Sequence, residues 1–425
     1  MKINKIGRLE GEITVPSDKS ITHRAIMLSC LANGVSHVDN YLESADCIST
    51  MNAFKAMGVD IVQNGKRLTI NGVGLNGLKK PSNDIDAGNS GTTTRLLAGI
   101  LAGQKFNATI IGDESLSLRP MKRIIEPLRQ MGVNVFAKND NYLPLTINPG
   151  KDLKSIDYIS KVASAQVKSC VLFAGLYAAG VTKFTEPEKS RDHTERMLKA
   201  YGADVVEKGL SVSIHKCNKL TAQNIKVPSD ISSAAFFMAA GLIVKNSRIT
   251  IKEVNINETR SGIIKVLKDM GAKIKIKDVN FVSGEEVADI EILSSDLHAT
   301  EIGGKIIPTL IDEIPIIALC ATQAEGTTVI SGAKELRVKE SDRLKVVASQ
   351  LSNMGADIKE TEDGLIIKGK TRLKGADVDS FKDHRIAMTL SIAGLVAEGQ
   401  TIIKDSDCVN ISFANFYEVL KKVCK

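Results

Sequence analysis

The sequence predicts an α/β protein of two lobes. Three observations carry this: a sixfold internal repeat, a length too great for one core, and a near-duplicated hexapeptide where the chain would cross between lobes. At 425 residues two domains is the natural expectation, and 43% hydrophobic with 25% charged residues is the balance of a globular chain.

Six segments share one plan: a short polar opening, an apolar helical run, then a Gly or Asn stop. They are SDKSITHRAIMLSCLANG, AGNSGTTTRLLAGILAG, SAQVKSCVLFAGLYAAG, SDISSAAFFMAAGLIVKN, IDEIPIIALCATQAEG and DHRIAMTLSIAGLVAEG. Their stops, Gly34, Gly103, Gly180, Asn246, Gly326 and Gly399, recur at about seventy residues. Gly and Asn tolerate the left-handed conformation that ends helices, so each stop reads as a helix cap. A β-like stretch follows each one, from SHVDNYL to TIIKDSD. Five units then carry a second helix, ending at Met57-Gly58, Met131-Gly132, Tyr201-Gly202, Met270-Gly271 and Met354-Gly355. One or two further strand-like runs come next, as in VDIVQNGKRLTI. The unit therefore reads β-α-β-α-β-β.

The sixth unit lacks closing strands, because NFYEVLKKVC runs to the last residues. The first sixteen residues, with INKI and EITV, are strand-like without a helix of their own, so they are expected to complete unit six. VPSDKS at Val15–Ser20 recurs as VPSDIS at Val227–Ser232. Pro16 and Pro228 disfavour helix just before them and mark two crossings. The lobes are placed at residues 17–228 and at 1–16 plus 229–425, with three units each and a two-point hinge suited to closure around ligands.

Composition excludes several classes of function. The net charge of +7 suits anionic ligands but is spread along the chain, with no block of like charges. The absence of Trp and the 4% aromatic content argue against a nucleic-acid platform, which needs ring faces for bases. Seven Cys, an odd number with no CxxC spacing, predict neither disulfides nor a zinc ribbon but buried thiols in a reducing compartment. The six His show no ligand spacing, so neither a metal nor a cofactor is expected. MKINKIGRLEGEITV has no apolar core of a signal peptide, and the uncharged run Ile231–Val244 is too short for a bilayer. A cytoplasmic monomer without membrane or nucleic-acid partners is the expectation.

Six apolar helices that begin with polar residues present their unpaired N–H groups as anion sites, each worth roughly 0.3–1 kcal/mol. The side chains near these starts suit that purpose: Lys19, Ser20, Thr22 and Arg24; Asn89, Ser90, Thr92 and Arg95; Ser164, Gln166 and Lys168; Asp312; His384 and Arg385. Ser229, Asp230 and Ser232 have no base beside them in sequence and read as helix caps. Two loops add basic clusters, GDESLSLRPMKR and ELRVKESDR. Lys122, Arg123, Arg337 and Asp342 read as a solvated face, whereas Lys339, Glu340 and Arg343 read as functional.

VPSDKSITHRA, GNSGTTTRLL, SLRPMKR, SAQVKS, SRDHTE, IDEIP, RVKESDRL and DHRIAM, in this order from Val15 to Met388, resemble the site motifs of the 5-enolpyruvylshikimate-3-phosphate synthase family. The SAQVKS and RVKESDR forms resemble the branch often called class II. The resemblance implies a two-lobed, inside-out α/β barrel-like fold of six β-α-β-α-β-β repeats. It also implies transfer of the enolpyruvyl group of phosphoenolpyruvate to shikimate 3-phosphate. Lys19, Ser20, Arg24, Ser164, Ala165, Gln166, Arg191 and Lys339 would then hold shikimate 3-phosphate, with Asn89 and His384 also lining the substrates. Phosphoenolpyruvate would meet Lys19, Gly91, Arg119, Gln166, Arg343 and Arg385, in a pocket that glyphosate also fills in this family. Asp312 resembles the base on the attacking 5-hydroxyl and Glu340 the acid near the methylene carbon; with Lys19 they are the expected catalytic residues.

The chain departs from the family at Ile411, where many relatives carry Lys, and at Ala414, where Pro is common. The alternative acceptor is a UDP-N-acetylglucosamine, whose enolpyruvyl transferase carries a reactive Cys before an Arg-Pro pair. Here that loop reads DESLSLRP, with no Cys between residues 48 and 169. A non-catalytic anion-binding repeat protein is the other reading, and it leaves Asp312 and Glu340 among bases without a purpose.

Overall fold

The computed structural model describes residues 1–150 and 152–425. It divides into two compact units: one of Ser17–Val227 with Val282–Gly284, the other of Met1–Pro16, Pro228–Phe281 and Glu285–Lys425. Each unit holds one hydrophobic core and three small sheets.

Six helices fill the cores: α1 (Lys19–Leu31), α2 (Gly91–Ala102), α3 (Ala165–Gly175), α4 (Ile231–Ile243), α5 (Ile314–Gln323) and α6 (His384–Gly394). They are buried on nearly every side, as helices apolar all round must be; α4 is buried from Ile231 through Leu242. Five open on a side-chain cap: Asp18, Ser90, Ser164, Asp230 and Asp383 each accept a backbone N–H of the first turn. α5 has no such cap, and Pro315, its second residue, lacks an N–H that would need one. The stretch Gly304–Gln323 is long and apolar enough to cross a membrane, yet 72% of its apolar window is buried in the fold, the state of a core helix.

Of the six Gly and Asn stops, Gly103 alone caps its helix, directly following α2 with φ −92° rather than in the left-handed conformation. The other helices end earlier, and Gly34, Gly180, Asn246, Gly326 and Gly399 take their positive φ in the turn or strand that follows. Left-handed caps do end the second helices. Gly58, Gly132, Gly202, Gly271 and Gly355, each with φ between 85° and 92°, directly follow the terminal Met or Tyr.

Each sheet pairs a parallel edge with an antiparallel set, the edge being one strand in five sheets and the two short strands Leu220–Thr221 and Asn224–Lys226 in the first. In the second repeat Ile85–Asp86 runs parallel to Ala108–Ile111, which pairs antiparallel with Tyr142–Asn148 and so reaches Asn134–Lys138. The N-terminal strands part company. Lys2–Asn4 lies antiparallel to Gln400–Lys404 in the sixth sheet, whereas Glu10–Ile13 runs parallel to Arg248–Ile251 in the fourth. In the same way Asn224–Lys226, just before α4, runs parallel to His37–Asp39, just after α1. The strands that lead into the two VPSD segments have thus exchanged sheets, and only pairing between distant residues decides it.

Candidate functional site

In the unit of residues 17–227 the expected residues gather at the starts of α1, α2 and α3. Lys19 opens α1 with Nζ 3.0 Å from Asp46 Oδ2. Arg24, one turn on and buried, donates from Nε to Thr194 Oγ1 at 2.6 Å, from Nη2 to Ser169 Oγ at 2.9 Å and from Nη1 to the Ser20 carbonyl at 3.0 Å. A guanidinium fixed on three sides is a preorganised anion receptor. Next to the start of α2, Asn89 accepts from Arg119 Nη2 at 2.5 Å and donates to Asp113 at 2.6 Å. Arg119 Nε is buried without a hydrogen-bond partner among the described residues.

Ser164 caps α3, Ala165 is its first residue, and Gln166 bridges to α2. Gln166 Oε1 accepts from Arg95 Nη1 at 2.9 Å while its Nε2 donates to Thr92 at 3.1 Å. Gly91, the first residue of α2, stands where a Cβ would fall 2.6 Å from that same Arg95 Nη1. Arg191 lies between the strand Val181–Thr185 and the helix His193–Ala200, three residues before the Thr194 that holds Arg24.

Lys168 does not serve as an exposed anion ligand. It is 1% exposed, and its Nζ sits 2.9 Å from Glu186 and 2.7 Å from Glu195. Burial depresses the ammonium pKa, but the two carboxylates outweigh it and raise the value, so the group stays charged.

In the other unit the acids and bases converge on one guanidinium. Asp312 stands in a 3-10 turn, Ile311–Glu313, immediately before α5. Its Oδ1 lies 3.2 Å from Arg343 Nη1 and 3.5 Å from Lys339 Nζ; Arg385 Nη2 is 4.0 Å from Oδ2. Glu340 Oε2 accepts from Arg343 Nη2 at 2.7 Å. Arg343, 1% exposed, also binds Asp383, and its pKa is raised because the three carboxylates outweigh burial. Burial pushes the Asp383 carboxyl up, but Arg343 overrides it and holds the carboxyl below its usual range. His384, buried, opens α6 beside Arg385.

Several residues escaped the sequence reading. Asp46, Ser169, Thr194 and Asp383 hold the expected cations from behind. Ser232 and Asp230 do have a base beside them. Arg260, buried, lies 3.6 Å from Asp230 and 3.0 Å from Glu313, and it contacts Ser232. Asp383 was signalled by the DHR triplet at a helix start, and Glu313 by its place beside Asp312; Arg260 carried no local signal. Arg337 is not merely solvated, since it donates to the carbonyls of Thr361 and Glu362 and pairs with Asp342, which caps the following helix. Ile411 ends the 3-10 helix Ser406–Ile411.

Comparisons with known proteins give the family. The family model described as EPSP synthase (3-phosphoshikimate 1-carboxyvinyltransferase) matches residues 3–420. The chain is 55% identical to a 3-phosphoshikimate 1-carboxyvinyltransferase of Endomicrobium trichonymphae, with 100% of both chains covered. It is 53% identical to that of Bacillus thuringiensis (strain Al Hakam), covering 98% of this chain and 97% of the relative. A solved EPSP synthase from Acinetobacter baumannii superposes with a TM-score of 0.89 at 45% identity, over 99% of this chain and 97% of that one. The fold is accordingly the two-lobed, inside-out α/β architecture of those structures. With its helix starts, carboxylates and guanidinium groups set out as above, the chain belongs to the EPSP synthase (3-phosphoshikimate 1-carboxyvinyltransferase) family.

Proposed function

We propose that the chain transfers the enolpyruvyl group of phosphoenolpyruvate to the 5-hydroxyl of shikimate 3-phosphate and releases phosphate, with the residues above dividing the work. The observation that carries this is the meeting of Asp312 and Glu340 on Arg343, at 3.2 and 2.7 Å. Addition of the hydroxyl oxygen to C2 needs a proton removed from that hydroxyl and one delivered to C3. Two carboxyls sharing a cation suit the two tasks, Asp312 as base and Glu340 as acid. C3 then returns its proton as the C2–O bond to phosphate breaks, and clustered cations hold the departing charge.

In the lobe of residues 17–228, Lys19, Ser20, Arg24, Ser164, Ala165, Gln166 and Arg191 bind shikimate 3-phosphate, and Asn89, Gly91 and Arg119 attend phosphoenolpyruvate. The buried Arg119 Nε, a donor with no hydrogen-bond partner among the described residues, supports its place as an anion ligand. In the lobe of residues 1–16 plus 229–425, Lys339 and His384 attend shikimate 3-phosphate, while Arg343 and Arg385 hold phosphoenolpyruvate. Lys19 serves both substrates. The enzyme works as a cytoplasmic monomer.

The family match and the relatives' names favour shikimate 3-phosphate over a UDP-sugar acceptor. Phosphate release measured with phosphoenolpyruvate and either acceptor tests the reading. Turnover with shikimate 3-phosphate alone is the expected result, and turnover with UDP-N-acetylglucosamine or with neither overturns it. Sedimentation at micromolar concentration checks the monomer.

A further inference from the structure

We propose that Lys168 is a positioning residue for the shikimate 3-phosphate site, acting through Glu186 and Glu195 on the segment that carries Arg191 and on the helix that holds Arg24. The inference rests on the reading of Arg24 and Arg191 given above.

Lys168 uses all three of its donors inside the fold. Nζ lies 2.9 Å from Glu186 Oε1, 2.7 Å from Glu195 Oε1 and 3.2 Å from the Ser190 carbonyl. Glu186 in turn accepts from the Ser190 N–H at 2.9 Å and the Ser190 hydroxyl at 2.5 Å. Ser190, the residue before Arg191, is therefore fixed at its N–H, its carbonyl and its side chain. Glu195 lies one residue beyond Thr194, and Lys168 one residue before Ser169. Ser169 and Thr194 meet at 2.6 Å, and both accept from Arg24. Two adjacent polar links thus join α3 to the helix His193–Ala200, one of them directly beneath the Arg24 guanidinium.

The energetics favour a geometric purpose over a stabilising one. The three side chains are 2–4% exposed, so each charge has lost its water. A buried ion cluster of this kind is often no more stable than well-packed apolar residues of the same volume, and its best use is to define one arrangement. The arrangement defined here is the path of residues 186–192 against α3. Burial raises the Glu195 carboxyl even against the pull of Lys168.

The test is Lys168→Met, with shikimate 3-phosphate binding read by calorimetry in the absence of phosphoenolpyruvate and kinetics read alongside. The dissociation constant for shikimate 3-phosphate should rise about tenfold or more, the scale set by small displacements of a binding group. Half-saturation by phosphoenolpyruvate, at saturating shikimate 3-phosphate, should change far less. Glu186→Gln, which keeps its shape and one acceptor for Ser190, should move the same constant in the same direction by less. A folded Lys168→Met protein with unchanged affinity, or one that loses both substrates equally as its melting temperature falls, overturns the inference. If that variant does not fold, Glu186→Gln decides, and unchanged affinity there overturns it. Arg191→Ala separates the two levels. Unchanged binding in that variant removes the ligand assignment, and the inference with it; weakened binding there, beside normal binding in Lys168→Met, removes the inference alone.

Discussion

Arg343 grips both carboxylate oxygens of Asp383, Nε at 2.8 Å from Oδ2 and Nη2 at 3.3 Å from Oδ1. The same carboxylate caps α6 by accepting the Arg385 N–H at 3.0 Å. One buried acid therefore aims two guanidinium groups, one by direct contact and one through the helix start that carries it.

Asp383→Asn should accordingly destabilise the protein by about 1–3 kcal/mol, because the amide keeps the cap but leaves a buried guanidinium with less counter-charge. A lower denaturant midpoint at constant slope is the expected reading. The wild-type midpoint would show that Asp312 and Glu340 suffice to balance Arg343.

Asp312→Asn should lower turnover by about 10²–10⁴-fold, the usual worth of a positioned base, while shikimate 3-phosphate still binds. The motive is geometric: Oδ1 faces Lys339 at 3.5 Å and Arg343 at 3.2 Å, which keep a carboxylate oriented without burying it completely. Turnover near the wild-type rate would remove Asp312 from the proton transfer.

What the sequence made legible is what local chemistry encodes. Ser90, Ser164 and Asp383 cap helices because a short polar side chain before an apolar run does so in almost any context. The second-helix glycines follow the same local logic. The exchange of Glu10–Ile13 and Asn224–Lys226 between sheets was hidden, since a strand's partner is set by contacts hundreds of residues away. Buried charge was the other blind spot. Lys168 looks like a ligand in the string SAQVKS, and only the folded chain brings Glu186 and Glu195 to it. Arg260 looks like any loop cation until Glu313 and Asp230 are placed around it.

His23 gives a prediction in pH. Its ring is fully buried, Nδ1 is 2.8 Å from Thr50 Oγ1, and burial brings its pKa down from 6.5 to about 3, with Lys19 and Arg24 adding to the effect against Asp46. Between those two values the unfolded chain binds a proton that the folded one refuses, so stability falls as the pH is lowered from 6.5 towards 3. His23→Gln, which can still meet Thr50, should show a shallower loss of stability across that window. Parallel curves for the two proteins would assign the acid sensitivity to other groups.

Gly91→Ala should weaken glyphosate inhibition by a larger factor than it raises the Michaelis constant for phosphoenolpyruvate. Gly91 does not take a positive φ, so alanine meets no backbone strain there and the variant should fold. The new methyl would fall 2.6 Å from Arg95 Nη1, the mobile end of a long side chain, and 3.7 Å from Leu116. Arg95 must shift, and it is held by Gln166 Oε1 at 2.9 Å and the Pro120 carbonyl at 3.2 Å. The methyl and the displaced guanidinium together narrow the space beside the start of α2. Glyphosate is longer than phosphoenolpyruvate, so it meets that crowding first, and discrimination arises from a clash with the larger ligand rather than a new contact with the smaller. A single methyl in a close-fitting pocket is worth about 10–200-fold, which bounds the expected ratio of the two changes. Steady-state inhibition measured at several phosphoenolpyruvate concentrations gives both constants from one protein. Equal losses for the two ligands would place the methyl outside the region where they differ, with Arg95 and Gln166 carrying the effect on both alike.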